Sequence, residues 1–424
     1  MKKYKRYLLR GLIAFGLIFA ILLGTNSVYV VIRGRRLEQK IAAIRTAGDP
    51  VSFSQLAPTE VTPPEQNAAV FLSRAQVGVE KLSKELFAVY SAPGFFEGSP
   101  SKNDIKAVES ALQGSPDVIP LLRQAAACSE YDPQIDYTVS PEAFIETSLA
   151  DRLGQLRAVT RLLNARVVML VAQGDRKEAF ETCLWMLRLS RSFEREPAFI
   201  GFLVSVACRA VGIRAADEVL RSGPLPKSAH LALDTELALH DSTEAYIRAL
   251  KSERVLGIES FQSLRSQLGS FQWWFLSDEC DYLDLFSEQF EFVSRPYSEL
   301  VAAGLENKYK GRIGPLSSGI LPALLHGRRA NDRSIAKVRS LRILNTLQTR
   351  ADAGDKSEPK LEDLGLPESA TTDPFTGMPL RLKKTDTGWL VYSTGENLKD
   401  DGGELADLRD IGLGPKKEET GPAY

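Results

Sequence analysis

The chain has 424 residues, 44% of them hydrophobic and 25% charged, with 53 Lys and Arg against 54 Asp and Glu for a formal charge of −1. That balance excludes a nucleic-acid binder built on basic excess and an acidic solvating tail, and the length suffices for one large core or two to three smaller ones. Cys128, Cys183, Cys208 and Cys280 are widely spaced with no C-x-x-C pair; they read as small buried hydrophobes, with one disulfide of undetermined pairing as the alternative outside the cytoplasm.

Residues 1–10, MKKYKRYLLR, form a basic start. Residues 11–32 then run about 22 positions without a charge, enough to cross a hydrocarbon core of roughly 30 Å at ~1.5 Å per helical residue. The apolar run is long for a secretory signal, no A-x-A site follows it, and Arg33, Arg35 and Arg36 stop it. We read an uncleaved transmembrane anchor; a cleaved signal and a buried soluble helix are the alternatives. Basic residues nearly balance across the span, and the tight cluster at the start places the N-terminus inside.

Residues 33–64 read as a juxtamembrane helix, with Leu37, Ile41 and Ile44 at helical spacing, followed by a collar containing Pro50, Pro58, Pro63 and Pro64. So many prolines exclude a continuous helix, and the segment is expected as an extended linker holding the next part off the membrane. From 65 to 330 the pattern is helical nearly throughout, with Gly and Pro breaks; about nine or ten helices are expected before Gly354. Helices are expected at Phe199–Arg221, Ser228–Leu239, Thr243–Gln267, Trp273–Asn307 and Asp332–Arg350, with a Gly/Pro/Ser joint over Gly311–Gly319. The hairpin around Gly174-Asp175 resembles a single tetratricopeptide-like unit, and one unit does not make a solenoid. The fold class is therefore mainly α: an N-terminal transmembrane helix, an all-α helical body, and a small C-terminal α+β module of a helix and a β-hairpin.

That module occupies 331–412, with a disordered tail expected at 413–424. Leu380-Arg381-Leu382-Lys383 and Trp389-Leu390-Val391-Tyr392-Ser393 are two short strands joined at Thr387-Gly388. A long helix leads to Leu361-Glu362-Asp363-Leu364, then Asp373-Pro374-Phe375-Thr376-Gly377-Met378-Pro379, then Tyr392-Ser393-Thr394-Gly395 and an acidic loop from Lys399 to Ile411. This order resembles the soluble part of a type II secretion major pseudopilin over about 331–411, a fifth of the chain. The family's processing site and its acidic residue within the apolar helix are missing here, and the apolar helix lies far upstream, which argues against polymerisation into a filament. The whole chain also resembles a broad class of bacterial single-pass membrane proteins, which implies an architecture and no activity.

The resemblance implies calcium in the acidic loop. Calcium takes six to eight oxygens, and Asp400, Asp401, Asp407 and Asp410 offer carboxylates, with Glu404 nearby; the alternative is a turn whose Asp side chains bond to their own backbone. His230, His240 and His326 carry no metal or catalytic spacing. Phosphate-loop, dinucleotide and G-x-S-x-G signatures are absent from the sequence, so no catalytic residue is assigned. The aromatic run Phe271-Gln272-Trp273-Trp274-Phe275, with Tyr282, Phe286 and Phe290 beyond it, reads as core, with a partner or bilayer edge as the alternative. The expected function is a membrane-anchored binding or scaffold protein of the bacterial envelope, in the inner membrane with its bulk outside the cytoplasm. The alternatives are an accessory part of a type II secretion or pilus-like system, partnered by its proteins, and an enzyme of unrecognised type.

Overall fold

Eleven helices of ten residues or more, several shorter helical turns and one small sheet make up the regular structure of the described residues, 2–268, 273–355 and 357–415 of a computed structural model. The first, α1 (Lys2–Thr46), is one unbroken helix of 45 residues. Its two halves differ. Leu12, Phe15, Ile18, Ile21, Val28 and Ile32 are each more than half exposed, whereas Leu37 is 3% exposed and packs with Val30, Ile41 and Ile44 into a hydrophobic cluster of the body.

The segment after α1 is not the free linker its prolines suggest. Asp49 pairs with Lys251 (2.5 Å) and Arg254 (2.9 Å), Phe53 donates its backbone N–H to Glu259 (2.5 Å), and the Phe53 ring is 1% exposed, 5.0 Å from both Tyr137 and Phe144. Prolines forbid a helix there but not docking, and this segment is laid onto the body as two short 3-10 turns, Phe53–Leu56 and Pro64–Gln66.

Helices α2 (Ala68–Glu85), α3 (Lys102–Gln113), α4 (Val118–Ala127), α5 (Ala150–Ala172), α6 (Arg176–Phe193), α7 (Phe199–Arg221) and α8 (Lys227–His240) follow. Gly174 at φ +82° makes the α5–α6 turn, and the Asp175 carboxylate caps the Glu178 N–H at 3.2 Å, a contact worth about 1 kcal/mol. By length and composition α7 could cross a membrane, but 67% of its most apolar window is buried. It is a core helix: Phe199 and Phe202 belong to the cluster that receives α1, and Val204, Cys208, Ile213, Val219 and Leu220 belong to the larger core.

Helices α9 (Glu244–Leu268), α10 (Trp273–Phe292) and α11 (Pro315–Asp352) complete the body. Two expected boundaries move. The helix from Trp273 stops at Phe292 because Pro296 follows and Arg328 takes the carbonyls of Phe292 and Arg295 (2.5 and 2.6 Å). The joint expected at 311–319 ends at Gly314, and 315–319 are the first turn of α11: Pro315 sits at its first position, where proline is favoured, and Asp278 accepts the Leu316 and Ser317 N–H groups at 2.9 and 3.0 Å. The boundary expected at 330/331 thus falls inside a continuous 38-residue helix.

The hairpin β1 (Arg381–Thr385) and β2 (Gly388–Ser393) has the register Arg381↔Tyr392 to Thr385↔Gly388. A third antiparallel strand, β3 (Ile411–Leu413), adds to β2 with Ser393↔Ile411. Leu413 therefore lies in the sheet rather than in a tail, and residues 416–424 of that expected tail fall outside the described residues. Leu380, Val391 and Leu413 share one hydrophobic core with Phe53 and with α2 to α8, so the C-terminal segment is built into the body.

Candidate functional site

A polar cleft of about 790 Å³ opens where four stretches of chain meet: residues 56–66, the loop 130–137, the α6–α7 junction, and the α8–α9 junction with the first turns of α9. Its size is in the range of small-ligand sites. Two walls are stitched together by backbone bonds, Ala68 N–H to Glu130 O (2.9 Å) and Glu130 N–H to Gln66 O (3.1 Å). Asn67 reinforces them, donating to Asp132 O (2.8 Å) and accepting from Asp132 N–H (3.0 Å).

The charges along the floor are held in pairs. Glu196, 2% exposed, accepts from Tyr131 Oη at 2.6 Å and pairs with Arg152 at 3.0 Å. Glu194 pairs with Arg209, both buried, and Arg195 pairs with Glu130. Glu236, beneath the cleft, is held by Arg191 (3.0 Å) and Arg188 (3.6 Å). Burial raises its carboxyl, but the neighbouring His240 ring and the Arg191 guanidinium outweigh that and bring it down to about 2. Such pairs fix side-chain geometry more than they add stability.

His240 borders this cleft from the last turn of α8. Its side chain has no exposed surface, its Nε2 stands 3.5 Å from Glu236 Oε1, and neither ring nitrogen makes a hydrogen bond among the described residues. Burial is the largest influence on the ring and holds its pKa below the ordinary value, so the imidazole is neutral near pH 7, with one donor and one acceptor. Arg248, also at the cleft, is exposed. The site can hold a polar ligand by hydrogen bonds and charge. Sequence spacing missed it because its residues come from four stretches; the i,i+4 pair Glu236 and His240 and the charged run Arg191, Glu194, Arg195, Glu196 were the available signals.

The expected calcium loop is arranged otherwise. Asp400 accepts Gly402 N–H (3.0 Å) and Tyr392 Oη (3.1 Å) and pairs with Arg381 (3.0 Å). Asp401 accepts from Asn397 Nδ2 (2.7 Å), and Asp410, 1% exposed, accepts Gly403 N–H at 2.7 Å. Asp407 is exposed at φ +54°. Among the described residues no three His, Cys, Asp or Glu side chains converge to hold a metal ion. The Asp400, Asp401 and Asp410 carboxylates accept hydrogen bonds from the loop and from Tyr392, and with Asp407 apart the four do not converge as a calcium shell.

The motif residues Asp373 and Ser393 do meet. Asp373, 2% exposed, accepts from Phe375 N–H (2.8 Å), Ser393 Oγ (2.6 Å), Thr376 Oγ1 (3.1 Å) and Thr394 N–H (3.4 Å), tying the Asp-Pro turn to the end of β2. His230 is structural: Nδ1 lies 2.8 Å from Asn345 Oδ1 and Nε2 3.1 Å from Asp352 Oδ2. His326 is exposed on α11. All four cysteines are free, three of them buried. Tyr282 and Phe286 are core with rings 4.8 Å apart, Trp274 is 51% exposed, and Phe271 and Gln272 lie outside the described residues. No protein family, curated protein or solved structure matches this chain.

Proposed function

We propose that the chain is a membrane-anchored binding protein of the bacterial envelope, in the inner membrane with its N-terminus inside and its body outside the cytoplasm, offering the cleft beside His240 to a polar ligand. The observation that carries this reading is the division of α1. Leu37, Ile41 and Ile44 are packed into the body, whereas Leu12, Phe15, Ile18, Ile21, Val28 and Ile32 face outward along a charge-free stretch. Each such side chain gains about 1.5–3 kcal/mol when removed from water, and a bilayer removes all of them together. Fixed ion pairs around the cleft favour binding. Washing membranes with alkaline carbonate tests the anchor: the full chain stays in the membrane pellet, while Ile18→Arg/Ile21→Arg, at about 2.5–3.5 kcal/mol per charge in the span, does not. Release of the unaltered chain by carbonate would overturn the reading.

A second reading, an accessory part of a type II secretion or pilus-like system, draws support from the sheet packed on α11 and from the Asp373–Ser393 contact joining the two halves of the resembled motif. Co-purification with pseudopilins favours it, and their absence from crosslinked complexes counts against it.

A further inference from the structure

Helices α1 and α10 lie side by side and run in the same direction. Cys280 Sγ is 4.0 Å from Arg33 O, Arg36 reaches Asp284 at 3.2 Å, and Lys40 pairs with the same carboxylate, at sequence offsets of 247, 248 and 244. Carried back along both helices, this register sets the first turn of α10, Trp273 to Leu276, level with Asn26 to Tyr29. Those residues lie inside the charge-free stretch, with Asn26 about 9 Å short of Ile32 at ~1.5 Å per residue.

Two other helix ends reach the same level. Helix α9 descends antiparallel to α10: Tyr282 Oη donates to Glu253 O at 2.7 Å, and Arg265 pairs with Glu279 at 3.2 Å, which brings Leu264 down beside the start of α10. The Asp278 cap brings Leu316 of α11 there as well. Leu264, Trp274 and Leu316 are 36%, 51% and 42% exposed, one large apolar side chain on each of three helix ends. Above them in α1 come Arg33, stacked 5.1 Å from the Tyr29 ring, and the exposed Arg35.

We infer that this end of the body enters the lipid interface beside the α1 span, with Trp274, Leu264 and Leu316 at the acyl boundary and Arg33 and Arg35 among the phosphates. The inference rests on residues 11–32 being the span and goes beyond it, since a tether alone leaves the body in water. Lipid is the occupant because the three side chains share their level with the charge-free stretch, and because an apolar layer carrying Trp and Tyr and edged by Arg matches the chemistry of a bilayer boundary.

The test is paramagnetic depth measurement on the full chain in phospholipid nanodiscs. Spin labels are placed, in a Cys128→Ser background, at Ile21→Cys, Trp274→Cys, Leu316→Cys and Met378→Cys. Met378 is 65% exposed and follows Gly377, which abuts Pro296 beyond the opposite end of the 20-residue α10. The inference expects the oxygen-to-nickel accessibility ratio at 274 and 316 to rise towards that at 21, with 378 remaining aqueous. Labels at 274 and 316 as aqueous as 378, while 21 is immersed, would overturn the inference and leave the span standing. An aqueous label at 21 would overturn both. Equal helical content by circular dichroism establishes that each labelled chain is folded.

Discussion

Replacing Asp373 with alanine measures how firmly the C-terminal sheet is tied to the body. Its carboxylate takes four hydrogen bonds. Thr376 is partly buried and can turn to water, and the Ser393 hydroxyl can rotate. The backbone N–H groups of Phe375 and Thr394 have no such freedom, because Phe375 is fully buried and Thr394 is 6% exposed. Each stranded buried donor costs about 1–3 kcal/mol, so Asp373→Ala loses about 4 kcal/mol. Asp373→Asn keeps one acceptor oxygen and loses roughly half as much. The assay is urea unfolding of the full chain in mild detergent, with hydrogen exchange followed at residues 390–393. Loss of protection in β2 ahead of the helical core is the expected pattern. An Asp373→Ala chain within about 1 kcal/mol of the parent, with β2 protection unchanged, would refute the reasoning.

Other consequences follow from burial and packing. Burial holds the Glu279 carboxyl up at about 7 despite the nearby Arg265 guanidinium. A folded-state value above the unfolded one means that this contribution is complete below about pH 4.3 and is lost as pH rises through 7. Glu279→Gln, neutral throughout, therefore flattens the stability-pH curve by up to about 3 kcal/mol between pH 5 and 8.5, and equal pH dependence in the two chains contradicts this. A Cβ at Gly327 would lie 2.1 Å from Phe199 Cζ, whereas one at Gly154 meets nothing within 4 Å. Gly327→Ala is expected to lower the unfolding midpoint by overpacking, about 1–3 kcal/mol, and Gly154→Ala to raise it by up to about 1 kcal/mol; the same sign for both would contradict the packing. Thiol titration of unfolded, unreduced protein should count four cysteines, and a count of two would mean a disulfide.

Helical periodicity carried most of the architecture, because a repeat of 3.6 is a local property of the chain: Phe199–Arg221 appears at the residues expected, and Ser228–Leu239 appears as Lys227–His240. The linker expectation failed because its partners lie far away in sequence. The prolines after Asp49 describe the backbone truly, but Lys251, Arg254 and Glu259, which hold that segment down, lie about 200 residues later. Strand β3 is three residues long, too short for alternation to show. Four aspartates in one loop look like ligands, but three of them, Asp400, Asp401 and Asp410, are taken by Gly402, Arg381, Asn397 and Gly403. His240 drew no attention by spacing, since its burial against Glu236 is created only by the fold.

The most direct test of the account is the side of the membrane on which the body lies. Fusions of alkaline phosphatase and of green fluorescent protein to the C-terminus of the full chain report opposite compartments. An N-terminus inside and a single span predict an active phosphatase and a dark fluorescent protein, both in the membrane fraction. A bright fluorescent fusion with an inactive phosphatase would place the cleft in the cytoplasm and contradict the proposed function.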